Sequence, residues 1–214
     1  MKQKAPKKNN DNARERLLDE AERLIGQKGP DAVTVREITS AAGANVAAVT
    51  YYFGGKKNLY LTVVRERWVP RARRIIKPLD DLVDSGEATI EQAVEGTARA
   101  FLMGFANDQE RELHLQIIQR ELAQPSEALG IILQEAIVPT FQRLTAMINR
   151  SLPQLSSEKA FLCVYSIFAQ VVHFCFGRAM VSGLMNRPFD EKVRETVVEH
   201  ITRFSLEGLR GVSD

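Results

Sequence analysis

One stretch of the sequence, GANVAAVTYYFGGKK (Gly43–Lys57), concentrates groups that hydrogen-bond without carrying charge. It holds an asparagine, a threonine and two adjacent tyrosines, and no charged side chain occurs between Ala44 and Phe53. Hydroxyl and amide groups are common partners of phosphate oxygens, and small side chains let a helix reach base edges in the major groove of DNA. These residue types therefore favour recognition of a nucleic acid.

Residues suited to catalysis or to metal binding are scattered. The histidines are dispersed, and the sequence has no HExxH motif, no Cys–His cluster, no glycine-rich phosphate loop and no G-x-S-x-G motif. Cys163 and Cys175 lie 12 residues apart, about 18 Å along one helix, which is too far for a disulfide within the chain. We expect free thiols, with a redox role left open, and no catalytic residue, metal or cofactor. The alternatives are an enzyme and a protein that signals through a protein partner.

Short helices are predicted around the uncharged stretch. Apolar residues at helical spacing indicate a first helix that ends at Gly29 and Pro30. Thr34 followed by Glu37 is a capping-box pattern, and it opens a second short helix that closes at a Gly43 turn. Two short helices joined by a tight glycine turn are typical of a helix-turn-helix.

The uncharged stretch itself forms the next element. A third helix is expected over about 45–52, broken by Gly54 and Gly55, and a fourth begins at Lys56 with a kink at Pro70. A segment that buries one face has reason to be apolar. The residues expected to close this three-helix core are Leu17, Ala21, Leu24, Val35, Ile38, Ala42, Val49 and Phe53.

Beyond Pro78 the helical spacing continues in longer segments. No window alternates with the period of a β-strand for more than a few residues. The breaks carry the Pro, Asn or Ser typical of loops. They separate helices predicted at 88–106, 109–123, 126–149, 157–184 and 189–209. The predicted fold class is all-α, with about nine helices.

Two segments resemble a known family. TVREITSAAGANVAAVTYYFGGKKNLY is similar to the DNA-binding signature of the TetR family of transcriptional regulators: a capping threonine, an Ala-Gly turn, a recognition helix ending in an aromatic pair before phenylalanine, then Gly-x-Lys and a leucine. HLQIIQRELAQPSEAL (His114–Leu129) resembles the ligand-binding domain of the CecR-like subgroup. The resemblance implies a disordered basic arm at 1–11, a three-helix helix-turn-helix DNA-binding domain at 12–58 and a helical ligand-binding and dimerisation domain at 59–214.

Within the DNA-binding domain, the resemblance and the side-chain chemistry assign roles. Phosphates are expected to be held by Thr34, Asn45, Tyr51, Tyr52 and Lys56. Base edges are expected to be read by Val46, Ala47, Ala48 and Thr50. Many relatives carry lysine and tyrosine in place of Val46 and Thr50, so DNA shape is expected to add specificity. Three alternatives stay open: Tyr52 as a core aromatic, Lys56 as a solvated helix start, and the basic arm as a solubility tail rather than a minor-groove binder. The arm's lysines are Lys2, Lys4, Lys7 and Lys8.

The C-terminal domain is expected to hold a dimer face and a ligand pocket. Predicted helices 157–184 and 189–209 of two copies would form a four-helix bundle. Its expected contacts are Phe161, Val164, Phe168, Val172, Cys175, Ala179, Val193, Val197, Ile201, Phe204 and Leu206. The expected ligand-binding residues are Phe101, Phe105, His114, Ile118, Arg120, Phe141, Gln170 and His173. Core packing is the alternative for these residues, and for Arg120 an ion pair with Glu112 or Glu121.

Charge is distributed unevenly along the chain. Residues 1–80 hold 17 basic and 9 acidic side chains, and residues 81–214 hold 12 and 18, so an anionic partner for the front end is indicated. The start lacks the apolar segment of a secretory signal. The apolar run Phe161–Phe176 is shorter than the roughly 20 residues of a membrane span, so we expect a buried helix and no membrane partner.

Together these features predict a cytoplasmic, ligand-responsive transcriptional regulator. It is expected to bind a palindromic operator in double-stranded DNA as a homodimer and to be released by a small-molecule effector. Repression is the expected outcome, and the residues are equally compatible with activation.

Overall fold

The structure of the protein, a computed structural model, describes residues 8–213. The first three lysines of the predicted arm lie outside the described residues, and α1 begins at Lys8. Between residues 8 and 213 the chain forms helices and loops without a β-strand, so the predicted all-α fold class is confirmed. In chain order the helices are α1 (Lys8–Lys28), α2 (Val35–Ala41), α3 (Val46–Phe53), α4 (Lys56–Val63), α5 (Val69–Asp84), α6 (Ile90–Met103), α7 (Asp108–Ala123), α8 (Glu127–Ile132), α9 (Val138–Ser151), α10 (Ser157–Phe176), α11 (Arg178–Met185) and α12 (Glu191–Ser213).

The helices form two compact units. The first comprises the chain up to Pro70 together with Gln109–Ile132, and the second comprises Arg71–Asp108 together with Leu133–Asp214. Helices α7 and α8 therefore belong to the same unit as α1 to α4, although α5 and α6 lie between them in the sequence. The division expected after residue 58 separates a DNA-binding domain from a ligand-binding domain, whereas the compact units are defined by packing. The functional division stays a prediction.

The core of the first unit is formed by the inward faces of α1 to α4. Helix α1 packs against α2, α3 and α4, and α4 also packs against α3 and α8. The predicted core residues are all buried except Val35, which is half-buried. Leu17, Ile38 and Leu59 are fully shielded from solvent. Burying each such side chain contributes roughly 1.5–3 kcal/mol, so this core fixes the placement of α2 and α3.

Helix α6 is central to the second unit. It packs against α9, α10 and α12, and α10 packs in turn against α9 and α12. The helix predicted at 157–184 is divided at Gly177 into α10 and α11, and none of the eight residues of α11 is buried. The buried cluster of this unit includes Ile75, Leu79, Val94, Phe105, Leu144, Met147, Val164, Ile167 and Leu209.

Two π-helical turns interrupt long helices: Val64–Trp68 between α4 and α5, and Leu133–Ile137 between α8 and α9. A proline, Pro70 or Pro139, follows each turn. Proline has no N–H, and its ring collides with the carbonyl four residues earlier, so a wider turn relieves both problems. The predicted kink at Pro70 therefore takes the form of a π-helical turn, and the helix predicted at 126–149 is interrupted for the same reason.

The second turn shows how a freed carbonyl is satisfied. Pro139 cannot donate to the carbonyl of Glu135, because it lacks the N–H group. That carbonyl oxygen instead accepts a hydrogen bond from Nε of Arg73 on α5, at 2.9 Å. The polar backbone group is thus paired by a side chain from a neighbouring helix.

Both cysteines are free thiols. Cys175 is buried, and its Sγ donates to the carbonyl of Phe101 at 3.4 Å. Burial raises the pKa of the Cys163 thiol. Because the thiolate is the reactive form, this environment disfavours redox chemistry at Cys163.

Candidate nucleic-acid interface

The N-terminus of α2 carries the predicted capping box. The Thr34 hydroxyl accepts the Glu37 backbone N–H at 3.1 Å and donates to Oε2 of the Glu37 carboxylate at 2.9 Å. The same carboxylate accepts the Thr34 backbone N–H at 2.7 Å and Nζ of Lys28 at 3.0 Å. The hydroxyl predicted to hold a phosphate is therefore engaged inside the protein, and a phosphate contact there would have to displace the Glu37 bond.

This arrangement predicts how the stability of the fold depends on pH. The Thr34 backbone N–H, then Lys28 and the Thr34 hydroxyl, lower the pKa of Glu37 from 4.5 to about 2. A carboxylate whose pKa is lower in the folded chain stabilises the fold above its unfolded pKa and loses that contribution as pH falls through its folded pKa. We expect Glu37→Gln, which keeps an acceptor but removes the charge, to lower the melting temperature at about pH 6, with the difference shrinking between about pH 4.5 and pH 2.

Thermal unfolding of the two proteins followed by circular dichroism across that range measures the effect. A difference in melting temperature that stays constant down to about pH 2 would contradict the ionic cap.

The turn between α2 and α3 is braced from two sides. Gly43 has φ of 58°, a left-handed conformation that favours glycine. The Ala44 backbone N–H donates to the Thr39 carbonyl at 2.8 Å, and Nε of Arg16 on α1 donates to the Ala42 carbonyl at 2.9 Å. The glycine was predicted from the sequence, whereas the arginine brace was missed, because no local pattern links α1 to this turn.

Helix α3 presents its small and aromatic side chains to solvent. The side chain of Asn45 caps the helix by accepting the Ala47 backbone N–H at 2.9 Å. Val49 and Phe53 are buried, and Ala48 and Tyr52 are half-buried. The exposed face consists of Val46, Ala47, Thr50 and Tyr51, the last with 75% of its surface accessible.

The aromatic pair at the end of α3 divides its roles. The rings of Tyr51 and Tyr52 lie 4.9 Å apart in an edge-to-face arrangement, and Tyr52 also meets the ring of Phe53. Tyr52 is half-buried beside the core. Its position is therefore intermediate between the two predicted alternatives, a core aromatic and an exposed phosphate contact, whereas Tyr51 projects outward.

The N-terminus of α4 follows directly. Its N-cap, Gly55, has φ of 133° and no side chain with which to accept a hydrogen bond from the first turn. Such a helix end favours anions through its N–H groups and its dipole. Lys56 is half-buried, with Nζ 3.4 Å from the carbonyl of Asp31, and Lys57 is exposed. Two cations therefore stand at a helix N-terminus immediately after α3.

A buried carboxylate, which the sequence did not reveal, ties α4 to α7 and α8. Glu121 is 1% exposed. It accepts hydrogen bonds from the Tyr60 hydroxyl at 2.7 Å, the Ser126 hydroxyl at 2.8 Å, and the backbone N–H groups of Ser126 and Leu129, both at 3.1 Å. Burial, and then the bond to Glu121, raise the pKa of Tyr60 far above its usual value. From the sequence, Glu121 was expected only as an alternative ion-pair partner of Arg120.

The single tryptophan lies in the same unit. Its ring stacks on the imidazole of His114, with centroids 4.2 Å apart and planes 9° from parallel. Nε1 of Trp68 donates to the His114 carbonyl at 3.0 Å. His114, predicted to face a ligand, is 5% exposed and packs against this indole.

The remaining predicted ligand-binding residues are divided between the units. Ile118 is buried on α7, and Nη2 of Arg120 donates to the Gly26 carbonyl at 3.5 Å. In the second unit, Phe168 joins Phe101 and Phe141, with ring centroids 5.2 and 5.0 Å away. Phe105 is buried, Gln170 donates to the Ser166 carbonyl, and His173 is exposed. The ligand-binding role of the set stays a prediction.

The predicted dimer face mixes exposed and buried positions. Val164, Cys175, Val193, Val197 and Ile201 are buried within their own chain. The large apolar side chains that remain exposed on the second unit's last three helices are Phe161, Leu162, Tyr165, Met180, Leu184, Met185, Phe204 and Val212. The helical repeat of apolar residues identified both helices. It did not distinguish the face buried within the chain from the apolar face that remains exposed.

Helix α10 is also the one helix among the described residues with the length and composition to cross a membrane. Only 28% of its apolar window is buried. The sequence-based expectation that this segment is a buried helix therefore holds for part of its surface.

The chain matches two protein families. Residues 90–209 match the family described as "HTH-type transcriptional dual regulator CecR, C-terminal domain", and residues 17–63 match "Bacterial regulatory proteins, tetR family". The HTH-type transcriptional dual regulator CecR of Shigella flexneri is 26% identical over 203 residues, which cover 89% of this chain and 88% of CecR. The HTH-type transcriptional regulator BetI of Brucella anthropi is 46% identical over 52 residues, 24% of this chain and 27% of BetI.

Solved structures share the fold. HlyIIR, a hemolysin II transcriptional regulator, has a TM-score of 0.60 at 19% identity and covers 90% of this chain and 98% of its own. The fatty acid degradation regulator FadR from Bacillus halodurans has a TM-score of 0.63 at 17% identity, with 98% and 99% coverage.

Proposed function

Because the chain belongs to the TetR family of bacterial regulatory proteins and carries a C-terminal domain of the CecR type, we propose that it is a ligand-responsive repressor of transcription. It binds a palindromic operator as a homodimer and leaves it when a small-molecule effector binds. Residues 12–58 contact DNA, residues 59–214 hold the effector and the dimer face, and the protein works in the cytoplasm. The observation that carries the proposal is the exposed, uncharged face of α3, which lies in the chain between the N-terminus of α2 and the N-terminus of α4.

That face is suited to the major groove. Val46, Ala47 and Thr50 are exposed and small, so the helix can approach closely, pack methyl groups on thymine and offer one hydroxyl to a base edge. Ala48 lies beside them, half-buried. With few bidentate contacts, DNA shape supplies much of the specificity.

The phosphates are held at the ends of the face. Lys56 and the first turn of α4 bind one phosphate, and the hydroxyl of Tyr51 reaches another. Tyr52, Asn45 and the N-terminus of α2 at Thr34 complete the set. In this proposal the cap residues act through the helix ends they stabilise, because their side-chain oxygens are engaged within the protein.

Dimerisation sets the spacing of the two recognition helices. Specific helix-turn-helix dimers place them about 34–36 Å apart, or at multiples of that distance, to match successive major grooves. The exposed apolar side chains of α10 and α12, among them Leu162, Tyr165 and Phe204, meet their copies across a two-fold axis. The proposed interface therefore keeps the exposed members of the predicted set, Phe161 and Phe204, and leaves out the members that are buried within their own chain.

The effector acts by favouring one conformation. The proposed ligand residues are Phe101, Phe105, His114, Ile118, Arg120, Phe141, Gln170 and His173. An effector that binds better to a conformation with a different spacing of α3 weakens DNA binding, and by no more than its difference in affinity between the two conformations.

Selection from a pool of random DNA duplexes, followed by affinity measurements across a salt series, tests the proposal. We expect the wild-type protein to recover a palindrome and to bind it as a dimer with a steep loss of affinity as salt rises. Leu162→Glu changes a side chain that is 52% exposed and should give monomers that bind weakly; Leu122→Glu, at a 55% exposed residue of the first unit, is the matched control. Weak binding without sequence preference by the wild-type dimer would overturn the proposal.

A further inference from the structure

The segment that joins α7 to α8, residues 121–127, contacts α4 at two points one helical turn apart. We call it the α7–α8 corner. At the inner point the buried Glu121 accepts the Tyr60 hydroxyl at 2.7 Å. At the outer point, Glu127 lies 2.5 Å from Nζ of Lys57. Lys57 is the second residue of α4 and the neighbour of Lys56.

The inner contact, between Tyr60 and Glu121, fixes the position of the outer contact, between Lys57 and Glu127. The Glu121 carboxylate also accepts the Ser126 hydroxyl and the backbone N–H groups of Ser126 and Leu129. It therefore caps the start of α8 and joins that start to α4 with a single buried group. Because Glu127 is the first residue of α8, its backbone is held beside the N-terminus of α4.

The outer contact places a negative charge where a DNA phosphate would otherwise find a cation. Both side chains are well exposed, 70% for Lys57 and 63% for Glu127, and an exposed ion pair of this kind contributes about 0–1 kcal/mol. Such a pair is weak as a structural element. It nevertheless occupies the lysine, and a carboxylate on a fixed backbone repels an approaching phosphate at any side-chain rotamer.

We propose that Glu127 attenuates DNA binding by competing with a backbone phosphate for Lys57. The inference rests on the proposed DNA-binding function and assigns a residue of the C-terminal domain to the control of operator affinity. Lys57 is then a reserve phosphate contact, available to DNA when its ion pair with Glu127 is broken.

The test is a cycle of three variants, Glu127→Gln, Lys57→Met and the double substitution, with affinities for the selected operator and for a scrambled duplex measured across a salt series. Each new phosphate contact steepens the slope of log K against log salt by about 0.9, so a dimer of Glu127→Gln is expected to be steeper by about 1.8. Its affinity advantage over the wild type then falls about tenfold between about 50 and 200 mM salt. The gain is expected on both duplexes, because phosphate contacts carry no sequence information.

Lys57→Met is expected to change the slope little in the wild-type background and to remove the gain in the Glu127→Gln background. Glu20→Gln removes the same charge from the same unit, at a residue paired with Arg23 at 2.6 Å, and should reproduce neither effect. The inference is overturned if Glu127→Gln leaves the slope unchanged, if Glu20→Gln steepens it equally, or if Lys57→Met flattens it equally in both backgrounds. A wild-type protein that binds neither duplex overturns the proposed function, and this inference with it.

Discussion

Exchanging Lys56 for glutamate is expected to abolish operator binding, with a loss of at least about 100-fold in affinity, or about 2.7 kcal/mol over the two protomers. The substitution places a negative charge at the N-terminus of α4, where the helix dipole and the free N–H groups favour an anion. It therefore removes the proposed phosphate contact and adds a repulsion at the same point. Because Lys56 lies at the surface of its unit, half-buried, the fold and the dimer are expected to persist.

Fluorescence anisotropy with a labelled operator measures the loss, and light scattering checks the dimer. Lys56→Met should fall between the wild type and the glutamate variant and weaken all sequences alike, as expected for a phosphate contact. Lys192→Glu, an exposed charge reversal on α12, controls for net charge. Affinity of the glutamate variant within about threefold of the wild type would show that α4 does not face the DNA backbone.

Replacing Glu121 with alanine is expected to lower the free energy of unfolding of the first unit by roughly 3–5 kcal/mol. The side chain is 1% exposed and is the shared acceptor of Tyr60, Ser126 and Leu129. Its removal leaves buried donors without a partner and opens a cavity between α4 and α8. Glu121→Gln should cost less, since it keeps one acceptor oxygen while turning an amide N–H₂ toward the donors.

Trp68 offers a local reporter for this measurement. It is the only tryptophan in the sequence, it is buried, and its ring stacks on His114 in the same unit. Urea unfolding followed by tryptophan fluorescence therefore reports the first unit, and circular dichroism at the same time reports all helices. Glu112→Ala, at an exposed position of α7, should change the midpoint little. Equal midpoints for Glu121→Ala and Glu112→Ala would refute the role given to the buried carboxylate.

The sequence predicted the helix-turn-helix well, because its signals are local. The Thr34–Glu37 capping box, the Gly43 turn and the Gly54–Gly55 break each act over a few residues, and short-range patterns capture such effects. The Tyr60–Glu121 contact spans 61 residues of sequence, and nothing in either neighbourhood pointed to the other. The grouping of α7 and α8 with the first unit was missed for the same reason.

Apolar periodicity also leaves part of the structure unpredicted. It indicates which side of a helix avoids water but not what covers that side. Val164 and Phe161 belong to the same repeat, yet one is buried in its own chain and the other is 47% exposed. Likewise Phe101 and Phe141 could be recognised as inward-facing aromatics, whereas their choice between packing and ligand binding depends on neighbours from other helices.

The π-helical turn Val64–Trp68 constrains how the length of this segment can change during evolution. Each residue of an α-helix advances the next side chain by about 100°, and the wider turn absorbs one extra residue so that Val63 before it and Val69 after it are both buried. A single-residue deletion here would rotate one apolar face away from its partners by that angle. Homologous sequences aligned across this turn should therefore share its length, and one that lacks a residue should also have shifted its apolar positions on one side of the gap.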